Sequence, residues 1–237
     1  IVARLSNGRV ITINGRETAP AKAHRDMYLR NGKPDTGLSQ IGPLASGVPG
    51  ALAAYAQLAK AHGKLPLRVH LETAATVAEK GFAIPAAYAG RIRATAKGLA
   101  KFPASGALFL KADGSPKVAG NLLKQPDLAR TYRAIAKEGT GWFYGGPFAR
   151  KTELWMKNNG GILAARDFTN YKTTSPPPVR TTYRGHTILG MQPPSSGGVH
   201  VAQILNILEH FDLAKMDSDS ADFYHVITEA MKLAFAD

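Results

Sequence analysis

Apolar and polar residues alternate from Ile1 to Asn14, with IVARLS and RVITIN on either side of Asn7-Gly8. Asn-Gly favours the positive φ angles of a type I′ turn, so this stretch predicts a β-hairpin. Pro20 to Leu29 predicts a short helix, and the polar run from Asn31 to Ile41 predicts a loop. After Pro49 the apolar period lengthens from two to between three and four. Leu52, Tyr55, Ala56 and Ala59 then form one predicted face, and Leu67, Leu71, Ala74, Ala75 and Ala78 form another. Helices are therefore predicted from Pro49 to Gly63, over Pro66 to Lys80 and over Pro85 to Lys101. Such helix-glycine-helix runs pack as hairpins. Ala107 to Lys111 reads as a strand that ends at Asp113-Gly114. Helices follow over Asp127 to Lys137 and Pro147 to Asn158, and a helical turn over Arg166 to Tyr171. Trp142-Phe143-Tyr144 reads as a packing anchor; without a basic groove beside it, base stacking is the weaker reading.

The second β-rich stretch is Val179 to Met191, with strands predicted on either side of Arg184-Gly185. Pro193-Pro194 stops it, because proline fixes φ and lacks a ladder donor. Ser195, Ser196, Gly197 and Gly198 make a turn, with serine placed to cap a helix that carries Val201, Ile204, Leu205, Leu208 and Phe211. A corner of this kind either points bare N–H groups at an anion or packs as a plain helix start. Ser218-Asp219-Ser220 offers caps for a last helix, with Phe223, Val226, Ile227, Ala230, Leu233 and Ala234 inside. Two isolated hairpins among many helices predict that 1–14 and 179–191 share one sheet.

Composition narrows the chemistry. The chain has 237 residues, 44% of them hydrophobic, which is enough for one good core. It has no cysteine, so disulfides, zinc–thiolate sites and cysteine nucleophiles are excluded. Its net charge of +13 raises nucleic acid, an anionic membrane or an acidic partner as a possibility. The basic residues are dispersed, however, and Arg91, Arg93, Lys97 and Lys101 read as a solvated helix face. No apolar run is long enough to span a bilayer. The chain opens without Met or a charged leader and closes in helical sequence, so it reads as a piece of a longer polypeptide, truncated at both ends.

Motifs for metal, phosphate or a serine nucleophile are missing: there is no HExxH, no G-K-S/T loop and no GxSxG elbow. The expected cofactor and metal sets are empty. Thr181-Thr182 lies inside a predicted strand and reads as structural, so no catalytic residue is expected in this chain. Arg16 is the one candidate for binding. It follows a strand end in Gly15-Arg16-Glu17-Thr18-Ala19-Pro20, where a guanidinium can either grip a carboxylate in bidentate fashion or pair with Glu17.

Four motifs occur in a fixed order: GRETAP-AKA-RDM, ASGVPG, NNGGILAARDFTNYK, and YRG leading to MQPPSSGG and ILNILE. Together they resemble the γ-glutamyltranspeptidase family of N-terminal-nucleophile hydrolases. The resemblance covers nearly the whole chain and is weakest over 84–125. It implies an α/β (α+β) fold, the helix-rich part of an α/β/β/α sandwich whose sheet is completed by a missing small subunit. Residues 1–237 would be a single domain, part of a large subunit. The family's precursor cleaves itself, and the new N-terminal threonine of the small subunit is the nucleophile. The implied substrates are glutathione and other γ-glutamyl compounds, with water, amino acids or dipeptides as acceptors. Arg16 would bind the α-carboxylate of the glutamyl group. Gly197-Gly198 does not match the family's oxyanion pair, which belongs to the small subunit. The implied location is periplasmic or secreted. Two alternatives remain: a cephalosporin acylase-like member of the superfamily, and a non-catalytic basic scaffold or nucleic-acid-binding domain that rests on charge alone. No nucleic-acid partner is expected.

Overall fold

The first hairpin turns at Asn7-Gly8 as predicted, but only Gly8 has a positive φ, 83°, so the turn is not of type I′. It joins β1 (Val2–Arg4) to β2 (Val10–Thr12) in an antiparallel pair with Ala3 opposite Ile11. The computed structural model describes residues 1–237. In chain order there follow β3 (Leu29–Arg30), β4 (Lys33–Pro34), α1 (Thr36–Gln40), α2 (Ala51–His62), α3 (Leu67–Lys80) and β5 (Phe82–Ala83). Next come α4 (Ala86–Leu99), α5 (Pro103–Phe109), β6 (Leu122–Leu123), α6 (Pro126–Glu138), α7 (Gly141–Tyr144), α8 (Pro147–Asn158) and α9 (Ala165–Asn170). The chain ends with β7 (Val179–Tyr183), β8 (His186–Gly190), α10 (Val199–Leu208) and α11 (Ala221–Ala236). It divides into two compact units: residues 1–15 with 173–237, and residues 16–172. No helix is long and apolar enough to cross a membrane.

The first unit holds both hairpins, but not in one sheet as expected. β1–β2 and β7–β8 are separate two-stranded sheets. A single bridge, Asn14 to Thr174, extends from the first hairpin. Pro176, Pro177 and Pro178 follow it, and three residues without an N–H cannot continue a ladder. The Thr12 hydroxyl donates to the Pro176 carbonyl instead, so a side chain does what a strand would have done. The expected serine cap of α10 is also absent: Gly198 is the N-cap and brings no side-chain bond. The close approach of two backbone segments explains the glycines. A methyl group added at Gly190 would lie 2.5 Å from Gly198 Cα, and one at Gly198 would collide with the Met191 carbonyl oxygen. At α11 the cap prediction holds, since Ser220 Oγ accepts from Phe223 N at 3.2 Å. Ala230 and Ala234 are buried as expected, but Leu233, expected inside, is 58% exposed. The Thr181 hydroxyl donates to Asn206 Oδ1 at 2.9 Å, which gives it a structural task.

The second unit is built on helix pairs. Ala75, Ala78 and Ala129 are buried between α3 and α6, where small side chains let the helices approach. Arg133 on α6 forks onto Glu79 of α3 with bonds of 2.9 and 2.6 Å. Hydrogen bonding and the Arg133 charge hold the Glu79 carboxyl below its ordinary 4.5. Several elements differ from expectation. Residues 107–111 are not a strand: α5 runs over Pro103–Phe109, and only Leu110 pairs, with Pro116. Pro103 starts a helical turn, and Leu108 and Phe109 then pack on buried Ile84, Ile92 and Leu123. Residues 21–28 form turns rather than a helix, and the expected loop over 31–41 holds β4, paired with β3, and the short helix α1. On α2 the buried residue is Ala54, whereas Tyr55 is exposed. Arg91, Arg93, Lys97 and Lys101 are exposed, as a solvated face requires.

Candidate functional site

Arg16 begins the second unit, and three of the four motifs meet around it there. The loop after Arg16 is paired with the second motif at one bridge: Val48 N donates to Thr18 O at 2.8 Å, and Thr18 N to Val48 O at 3.3 Å. Gly47 lies against Glu17, and a methyl group added there would sit 3.1 Å from Glu17 Cγ. The third motif supplies two further ties. Asp167 is 8% exposed and accepts from Ala21 N at 2.9 Å and from Ala164 N at 2.8 Å. The Tyr171 hydroxyl donates to the Arg16 carbonyl at 2.8 Å.

Local sequence explains why the third motif can do this. Asn159-Gly160-Gly161 stops α8, with Gly160 at φ 76°. Gly161 must be glycine for space as well, because a methyl group there would sit 2.8 Å from Pro43 Cβ and run into the Met156 sulfur. The chain then turns into α9, where Asp167 at the third position accepts the N–H of the capping residue, Ala164. Alanine has no side-chain acceptor, so only the carboxylate half of a capping box is made. Phe168 next to it is 1% exposed and anchors α9 in a core of Val48, Ala149, Met156 and Leu163. Trp142-Phe143-Tyr144 serves as the anchor expected of it: the Phe143 ring stacks on Phe148 at 4.2 Å between centroids. The Tyr144 ring stacks on Tyr171 at 5.9 Å, and its hydroxyl donates to Pro49 O at 2.9 Å.

Arg16 itself carries a planar fork suited to a carboxylate. Its Nε lies 2.9 Å from Glu17 Oε1, and the two side chains are 56% and 57% exposed. An ion pair so open to water is worth about 0–1 kcal/mol, so Glu17 orients the guanidinium without locking it. Burial, and then the Glu17 charge, raise the Tyr171 phenol above its ordinary 10.0. Tyr144 is raised as well, first by burial, against the opposing hydrogen bond from Ala53 N.

A model of the family described as Gamma-glutamyltranspeptidase matches residues 1–237. The chain belongs to the gamma-glutamyltranspeptidase family. It is 38% identical over 239 residues to the glutathione hydrolase proenzyme of Escherichia coli, covering 100% of this chain and 41% of that relative. It is 39% identical over 241 residues to an acylase ACY 1 proenzyme of a Pseudomonas species, covering 99% and 43%. The crystal structure of Helicobacter pylori gamma-glutamyltranspeptidase superimposes with a TM-score of 0.94 at 36% identity, covering all of this chain and 68% of that one. The chain thus spans about two-fifths of the length of these curated relatives, which are named as proenzymes. Its α+β fold is the one this gamma-glutamyltranspeptidase shares.

Membership of the gamma-glutamyltranspeptidase family explains why the motifs occur together; the geometry gives each a position. GRETAP, ASGVPG and NNGGILAARDFTNYK converge on Arg16, while MQPPSSGG lies in the other unit. Sequence reasoning picked out Arg16 but not Tyr171 and Asp167. Both stand inside a quoted motif, but they lie 155 and 146 residues from the partners they hold, beyond the reach of any local pattern.

Proposed function

We propose that this chain is a large-subunit segment of an enzyme that cleaves the γ-glutamyl amide of glutathione and related compounds. The acyl group passes to water or to an amino acid or dipeptide. The small subunit comes from the same precursor, completes the domain and its sheet, and carries the threonine nucleophile. The threonine hydroxyl adds to the γ-carbonyl carbon while its proton passes to the α-amine. The C–N bond then breaks and the leaving amine takes that proton. Water or an acceptor amine attacks the resulting ester and frees the threonine. Arg16 contributes binding: its guanidinium holds the α-carboxylate of the glutamyl group. A periplasmic or secreted location goes with this reading.

The observation that carries the proposal is the exposed Arg16 fork on a loop fixed at Thr18 and Ala21. A second reading, an acylase of the cephalosporin type, draws on the 39% identity to an acylase proenzyme. The two readings differ at one group: a glutaryl side chain keeps the terminal carboxylate of a glutamyl one but lacks its α-amine. The processed full-length protein is expected to turn over a γ-glutamyl anilide at least tenfold more efficiently than the matching glutaryl anilide, the scale of one lost charge-assisted contact (about 1.5–3 kcal/mol). Equal or reversed efficiency in competition assays would favour the acylase.

A further inference from the structure

The loop that carries Arg16 is held by one short helix, α9. Tyr171, just past the end of α9, fixes the Arg16 carbonyl at 2.8 Å. Asp167, in its first turn, fixes Ala21 N at 2.9 Å, and its other oxygen takes Ala164 N at 2.8 Å. Between these points Thr18 is paired to Val48. Arg16, Thr18 and Ala21 are therefore each held at the backbone, two of the three by side chains in or just after α9. The helix cannot shift easily, because Phe168 lies in the core between Asp167 and Tyr171. The Tyr171 ring packs against the core, but its hydroxyl and one Asp167 oxygen serve hydrogen bonds that end on the arginine loop, while the other Asp167 oxygen caps α9.

We propose that Tyr171 and Asp167 are positioning residues for the carboxylate-binding arginine, acting through the backbone of residues 16–21 to aim the Arg16 guanidinium. This rests on the reading of Arg16 given above. A small error in aim matters because a bidentate contact needs both of its bonds at once. The effect falls on substrates that carry an α-carboxylate and on their KM, since the reacting bond lies elsewhere in the substrate.

The test uses the processed full-length enzyme with two anilide donors, one γ-glutamyl and one 4-aminobutyryl, which keeps the amine but lacks the carboxylate, in four variants: Tyr171→Phe, Asp167→Asn, Arg16→Ala and the double variant Arg16→Ala/Tyr171→Phe. Tyr171→Phe removes one hydroxyl and keeps the ring that stacks on Tyr144. It should raise KM for the γ-glutamyl donor about three- to tenfold, the size of one ordinary hydrogen bond, with kcat within about twofold. The 4-aminobutyryl donor, which has no carboxylate for Arg16, should not feel it. In the Arg16→Ala background, Tyr171→Phe should have no further effect, because the group it aims is gone. Asp167→Asn should behave likewise with a larger rise, since an amide cannot accept both N–H bonds as the carboxylate does. Three results would contradict the proposal. If Arg16→Ala raises KM but Tyr171→Phe and Asp167→Asn do not, the positioning role fails and the Arg16 reading stands. Equal losses with both donors, or additive losses in the double variant, make the two residues general supports of the fold. Wild-type KM in Arg16→Ala removes the Arg16 reading and this inference with it.

Discussion

The purified 237-residue chain is expected to release no measurable amine from a γ-glutamyl anilide. Its best-placed polar groups bind or orient: Arg16 faces solvent with Glu17, and Tyr171 and Asp167 are committed to backbone groups. Thr181 and Thr182 lie within β7, and a threonine in mid-strand has no α-amine to take its proton. Binding groups without a nucleophile or oxyanion donors leave most of the barrier in place. The same assay on the processed full-length protein should give turnover. Activity in the 237-residue chain alone would place the nucleophile within it and overturn the proposed division between subunits.

Phe168→Ala is expected to lower the stability of the second unit by about 3–5 kcal/mol, the usual cost of truncating a fully buried aromatic residue. Phe168 meets the edges of Phe143 and Phe148 at 5.9 and 6.1 Å between ring centroids. Such pairs add to the burial term, and little nearby can close the gap that alanine would leave. Trp142 and Trp155 both belong to this unit, so their fluorescence during urea unfolding reports on it directly. The midpoint should fall well below that of the wild type. A loss under about 1 kcal/mol would mean that the aromatic cluster repacks, and that α9 does not depend on it.

The sequence made the regular elements legible where local chemistry decides them. Asn7-Gly8 turns the first hairpin, Ser220 caps the last helix, and Leu71, Ala75 and Ala78 face the core at helical spacing. It misled where tertiary packing outweighs local preference. Residues 107–111 carry a strand-like pattern, but Pro103 and the pocket around Ile84 and Ile92 draw Leu108 and Phe109 into a helix. The two hairpins were expected to share a sheet, but the proline run after Ser175 stops the pairing at one bridge. At α10, Ser195 and Ser196 stand where a cap belongs, but a backbone crossing at Gly190 and Gly198 sets the corner instead. For the site, one residue could be picked out because Arg16 follows a strand end inside a recognisable motif. Its supports could not, because Tyr171 and Asp167 reach it only when the chain returns some 150 residues later.

The most direct test of the account is steady-state kinetics of Arg16→Lys and Arg16→Ala in the full-length protein, with precursor cleavage followed on a gel. Arg16→Lys keeps the charge and loses the fork, so KM for a γ-glutamyl donor should rise by roughly tenfold or more. Arg16→Ala should raise it further. Both precursors should still cleave, because self-cleavage attacks the chain's own peptide bond and needs no glutamyl carboxylate. Wild-type KM in Arg16→Ala, or a precursor that no longer cleaves, would contradict the role given to Arg16.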